Sequence, residues 1–140
     1  MSEPLHHQPA VVLCEAYESL REGLETVLQG HYRVTSARRL TELPPLLETV
    51  TPSILIVDVD DQSEPYEALR RIRETCKTTP ILLLSREFSL EQQLEAVQQF
   101  GNVGFVTKPF SLEPLLEKIE TLIQGYSSAP IRRRIVRVAQ

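Results

Sequence analysis

The run Ile54-Leu55-Ile56-Val57-Asp58 takes four apolar residues straight into a carboxylate, and Asp60, Asp61 and Glu64 follow closely. Pro52 bounds it on one side and this polar cluster on the other, so it reads as a strand buried on both faces. An acid at the C-terminal end of such a strand stands where open α/β sheets gather ligands and chemistry. A strand-end Asp is also a common turn cap. Asp58 therefore gains weight only from what the rest of the chain places around it.

Upstream, Val11-Val12-Leu13-Cys14 is a second short apolar run and closes on Glu15. Leu20, Leu24, Val27 and Leu28 then fall on one helical face, with Gly30 as a stop. Residues 32–37 read as a strand rich in β-branched residues. Leu43, Leu46, Leu47 and Val50 have helical spacing, and Pro44 and Pro45 confine that helix to a start near Thr41 or Glu42. Downstream, Pro65 suits a first turn followed by Ala68, Leu69 and Ile72, and Ile81-Leu82-Leu83-Leu84 is a further apolar strand ending in Ser85. Ser89-Leu90-Glu91-Gln92 is a capping-box pattern. It opens a helix expected to turn Leu90, Leu94, Val97 and Phe100 inward. Residues 104–107 form a last short strand, closed by Lys108-Pro109. Ser111 then caps a helix with the wide stripe Leu112, Leu115, Leu116, Ile119, Leu122 and Ile123. Five strands alternating with five helices imply an α/β fold: parallel strands joined by right-handed helical crossovers.

The totals are consistent with this. At 140 residues the chain is long enough for one domain with a substantial core. No apolar run approaches the ~20 residues of a membrane helix, and Met1 to Gln8 lacks the pattern of a signal peptide. Cys14 and Cys76 fit no metal-ligand spacing, so the expected setting is a reducing, cytoplasmic one. The net charge of −4 conceals an asymmetry. Residues 126–140 carry Arg132, Arg133, Arg134 and Arg137 and no acid, which leaves 11 basic and 19 acidic residues in 1–125, a net of −8. Three parts are expected: a leader over 1–9, a domain over 10–125 and a basic tail over 126–140. The acidic body argues against broad nucleic-acid binding. A basic tail is most often a solvated end, with a contact to nucleic acid or an acidic partner as the sharper reading.

Glu15, Asp58, Ser85 and Lys108 all sit at strand ends. In a parallel sheet those ends share one edge, so residues far apart in sequence can converge. Two acids, a hydroxyl and a lysine suit phosphoryl chemistry: a carboxylate nucleophile, a cation and donors for the phosphoryl oxygens, and a second acid for a divalent metal. With Phe105 in the fifth strand and Thr107-Lys108-Pro109-Phe110 after it, the sequence over about 10–124 resembles the receiver domain of two-component response regulators.

The resemblance implies a five-stranded, flavodoxin-like sheet of order 2-1-3-4-5. It implies that Asp58 accepts a phosphoryl group from a histidine kinase, a phosphotransfer protein or a small donor. Lys108 and Ser85 would contact the phosphate, Ser85 and Phe105 would act as the switch, and the Lys108–Pro109 bond would be cis. It also implies a downstream partner on the face formed by the fourth helix, fifth strand and fifth helix, and Mg²⁺ at the site. Receivers usually carry two adjacent acids after the first strand. Here Glu15 and Ala16 stand there, or Cys14 and Glu15 after a one-residue slip. The metal candidates are Glu15 and Asp58, with Asp60 or Asp61 as further oxygen donors from the loop. Two other readings stay open: a phosphorylation-independent pseudo-receiver, and an aspartyl-phosphate hydrolase suggested by Asp60 two residues after Asp58.

Overall fold

A computed structural model describes residues 8–125. The first seven residues of the expected leader and the whole of the expected basic tail lie outside the described residues. Five strands alternate with helices: β1 (Ala10–Cys14), α1 (Glu18–Leu28), β2 (Arg33–Ala37), a 3-10 turn (Leu40–Glu42) running into α2 (Leu43–Leu47), β3 (Ile54–Asp58), α3 (Pro65–Thr75), β4 (Ile81–Ser85), α4 (Leu90–Phe100), β5 (Val103–Thr107) and α5 (Leu112–Gly125). All strand pairs are parallel, in the order β2-β1-β3-β4-β5. This is the flavodoxin-like arrangement. Its order reverses between β1 and β3, and that switch point sets Glu15 beside Asp58.

β1, β3 and β4 are buried along their whole length because helices cover both faces. Successive side chains of a strand point to opposite faces, and the core divides accordingly. Val11, Leu13, Ile54, Ile56, Leu82 and Leu84 pack with Leu24 and Leu28 of α1 and Leu115 and Ile119 of α5. Val12, Leu55, Val57, Ile81 and Leu83 pack on the opposite face with Leu43 of α2, Leu69 and Ile72 of α3, and Ala96 and Phe100 of α4. Each fully buried Leu or Ile contributes about 1.5–3 kcal/mol relative to exposure.

α4 differs from its sequence-based expectation. Phe100 is buried, but Leu90, Leu94 and Val97 are 72%, 58% and 47% exposed. The residues that seat the helix are Ala96 and Phe100, the latter stacked on Tyr66 of α3 with ring centroids 6.4 Å apart. The capping box at its start is present: the Ser89 hydroxyl accepts from the Gln92 amide, and the Gln92 side chain accepts from the Ser89 amide. At the opposite end of the sheet from Asp58, the Arg73 guanidinium of α3 donates to the carbonyls of Phe100 (2.9 Å), Cys76 (2.6 Å) and Thr79 (2.7 Å).

Candidate functional site

Four buried or half-buried polar side chains gather at the C-terminal edge of the sheet. Asp58 ends β3, opposite Leu84 of β4, and its side chain is wholly buried. Glu15 follows β1 and is 1% exposed, so it is not the solvated loop residue it could have been. Ser85 ends β4 opposite Thr107 and is also buried. Lys108 follows β5, its amide donating to the Ser85 carbonyl at 2.8 Å, and the Lys108–Pro109 peptide is cis. The convergence expected from strand-end positions is thus present.

The Lys108 ammonium forms an ion pair with Asp58 Oδ2 and lies 3.0 Å from Asp60 Oδ2. Burial lowers the Lys108 pKa, but the two carboxylates outweigh it and raise the group above its ordinary value. Asp58 Oδ1 accepts from the Asp60 amide at 2.9 Å, which turns the chain sharply after β3. Asp60 then points back over the sheet edge. Its Oδ1 accepts from the Ser85 hydroxyl at 2.9 Å and its Oδ2 from the Arg86 amide at 3.0 Å. Burial raises the Asp60 carboxyl, but the hydrogen bonds from Lys108, Ser85 and Arg86 hold it below its ordinary range. Both of its oxygens are therefore engaged with donors. Asp61, the other loop acid, adopts a left-handed backbone with φ of 63°.

Glu15 Oε2 accepts from the Tyr17 amide at 3.0 Å, while its buried Oε1 has no hydrogen-bond partner among the described residues. Burial first, and then the neighbouring Asp58, push the Glu15 carboxyl up to about 8. Such a pair of crowded carboxylates suits a hard divalent cation, which takes oxygen ligands and relieves their repulsion. Ala16 supplies no donor, and among the described residues no group of three or more His, Cys, Asp or Glu gathers as a metal site. Glu15 and Asp58 are the two carboxylates here that would hold such a cation.

Ser85 makes a local bond as well: its oxygen accepts from the Glu87 amide at 3.1 Å. Ser85 thus bonds both to the backbone and to a carboxylate of the sheet edge. Phe105 is half-buried and meets Phe88 edge-on, with centroids 5.2 Å apart. Phe88 and the Arg86 amide were not singled out from sequence. A backbone amide has no side-chain signature, although its place directly after a strand-end Ser85 could have pointed to it. Cys14 is a buried free thiol, pushed up to about 12 chiefly by burial.

The family model for the response regulator receiver domain matches residues 11–120. The chain is 27% identical over 119 residues to the chemotaxis protein CheY of Pseudomonas aeruginosa, covering 81% of this chain and 95% of that one. It is 30% identical over 120 residues to the transcriptional regulatory protein PhoP of Escherichia coli, covering 84% of this chain and 53% of that one. It spans less than half the length of three other curated relatives, two transcriptional regulatory proteins and the response regulator protein GraR of Staphylococcus saprophyticus, between 31% and 46%. Among solved structures, the chemotaxis protein CheY4 of Vibrio cholerae superposes with a TM-score of 0.76 at 27% identity, over 82% of this chain and 98% of that one.

Proposed function

The chain belongs to the receiver domain family of two-component response regulators, and on that premise we propose that it is a phospho-switched binding module with Asp58 as its acceptor. Receiver domains are signalling domains, generally without enzymatic activity; they interact with histidine kinases and downstream effectors and typically bind Mg²⁺ at the phosphorylation site. The observation that carries the reading is the Lys108 ammonium paired with the buried Asp58 carboxylate at the strand ends, with Ser85 alongside.

The donor is a phosphohistidine of a sensor kinase or phosphotransfer protein, or a small acyl phosphate. A carboxylate oxygen of Asp58 attacks phosphorus, and a new O–P bond forms as the P–N or P–O bond to the donor breaks. The leaving imidazole or carboxylate keeps the electron pair, and imidazole takes a proton from solvent. Lys108 holds Asp58 in place and meets the negative charge that develops on the phosphoryl oxygens. Ser85 donates to one of those oxygens. Glu15 and Asp58 would hold Mg²⁺, which supplies further positive charge to the phosphoryl group when bound. Phosphorylation adds roughly −1.5 to −2 charge at pH 7, and drawing Ser85 and Phe105 toward it biases the surface of α4, β5 and α5. The exposed Leu90, Leu94 and Val97 of α4, with Leu112 of α5, make that surface the face for a downstream protein.

The second reading, a pseudo-receiver that binds its partner without phosphorylation, is favoured by Ala16 in place of a second acid. Intact mass after incubation with acetyl phosphate, with and without Mg²⁺, separates the two. The expected result is a Mg²⁺-dependent phosphoryl adduct that disappears in Asp58→Ala. A folded protein that stays unmodified at high donor and metal concentrations, and with its kinase, removes the first reading.

A further inference from the structure

Three donors at the sheet edge meet one carboxylate, with the Glu87 carbonyl at 3.0 Å as the other acceptor open to the Ser85 hydroxyl. The Ser85 hydroxyl reaches Asp60 Oδ1 at 2.9 Å, while the Arg86 amide and the Lys108 ammonium both reach Asp60 Oδ2 at 3.0 Å. These donors come from the end of β4, the residue after it and the end of β5, and they converge on a point beside Asp58. A hydroxyl, a backbone N–H and an ammonium on one spot form an anion pocket. It is the place where the oxygens of a group attached to Asp58 must lie.

Asp60 enters this pocket from a fastened loop. Its own amide is tied to Asp58 Oδ1 at 2.9 Å. The Asp61 carbonyl accepts from Arg39 at 3.2 Å, and the Gln62 side chain spans from the Arg38 carbonyl (2.9 Å) to the Leu40 amide (3.2 Å). The left-handed backbone at Asp61 and Glu64 lets the loop double back. A carboxylate presents two oxygens on one centre, as a phosphoryl group presents two of its three.

We propose that Asp60 is the internal occupant of the phosphoryl-oxygen pocket: it holds Ser85 in the arrangement a phosphoryl group on Asp58 would impose, and such a group enters only by expelling it. The proposal rests on the reading of Asp58 as acceptor. The Ser85 hydroxyl and the Arg86 amide have one proton each, so the incoming phosphoryl group and the Asp60 carboxylate compete for them. While Asp60 stays in place, the segment from Ser85 to Phe88 is pinned, and with it the edge contact to Phe105. Modification of Asp58 is slowed for as long as Asp60 holds these donors.

The full chain and its Asp60→Ala and Asp60→Asn variants test this, each also with Asp58→Ala. Two quantities are read: the amide proton shift of Arg86 by NMR with no donor present, and the rate of adduct formation with acetyl phosphate and Mg²⁺ by intact mass. In Asp60→Ala the Arg86 amide moves upfield and the adduct forms about tenfold faster, the factor that loss of one competing hydrogen-bonded anion carries. Asp60→Asn, which keeps the shape without the charge, falls between. An Arg86 amide that does not move overturns the proposal. So do equal adduct rates in wild type and Asp60→Ala, a result that leaves Asp58 standing as acceptor. If the Arg86 amide moves and no variant is modified, the internal occupant is supported and it is the acceptor reading of Asp58 that falls.

Discussion

α4 and α5 carry similar apolar stripes in sequence and use them oppositely. α5 turns Leu115 and Ile119 into the sheet and packs Leu116, Leu122 and Ile123 against the same cluster. α4 rests on Ala96 and Phe100 and sends Leu90, Leu94 and Val97 to solvent. At 100° per residue, the buried stripe of α4 lies about a quarter turn or more from its exposed apolar one. The difference shows that helical spacing finds an amphipathic face but does not say which apolar face docks. In α4 the choice falls to Phe100, whose ring is the largest apolar group on the helix and finds Tyr66 to stack on. Ala96, one turn earlier, lets the backbone approach. α5 is thus seated along most of its stripe, while α4 is lightly seated and leaves large aliphatic side chains in solvent.

Substitutions can break this contrast. Phe100→Ala removes the main anchor of α4 and costs about 3–5 kcal/mol in urea unfolding, whereas Leu94→Ala stays within about 0.5 kcal/mol. Equal losses at the two positions would place both on the core and undo the comparison. Ser89→Ala deletes the capping box and lowers stability by about 1 kcal/mol, with the loss of helical signal by NMR confined to the first turn of α4. The smallest effect belongs to the α5 side. The Tyr32 hydroxyl donates to Glu120 Oε1 at 3.1 Å, and Tyr32→Phe costs about 0.5 kcal/mol at neutral pH because Glu120 is exposed. Burial first, and then Glu120, push the Tyr32 phenol from 10.0 up to about 12. The unfolded chain gives up that proton above pH 10 while the folded one keeps it to about 12, so stability falls with rising pH across this window. The alkaline limb of a stability–pH curve is accordingly shallower in Tyr32→Phe, and identical limbs would detach Tyr32 from α5.

Much of this architecture is legible in the chain. Ile54 to Asp58 and Ile81 to Ser85 are so uniformly apolar that only two-sided burial accommodates them, and their polar terminators mark the sheet edge. Lys108 and Glu15 are found by the same rule. α4 misleads because three large aliphatic residues at helical spacing outweigh Ala96 in any pattern count, and the partner of Phe100 lies on another helix. Asp60 is visible as a loop acid two residues after Asp58 and as a candidate oxygen donor for a metal, but not as a partner of Ser85. Its engagement with Ser85, Arg86 and Lys108 follows the turn closed by its own amide on Asp58, and three donors from the ends of two strands leave no periodic trace.

The Arg73 bonds give α4 a mechanical character. By gripping the Phe100 carbonyl together with those of Cys76 and Thr79, the guanidinium fastens the far end of the helix to the N-terminal rim of the sheet. The near end, at Ser89, follows directly on the segment beginning at Ser85. A rod pivoted at one end and pushed at the other swings most where it is pushed. A displacement imposed at the sheet edge would therefore be largest at Leu90 and Leu94 and fade toward the anchored Phe100.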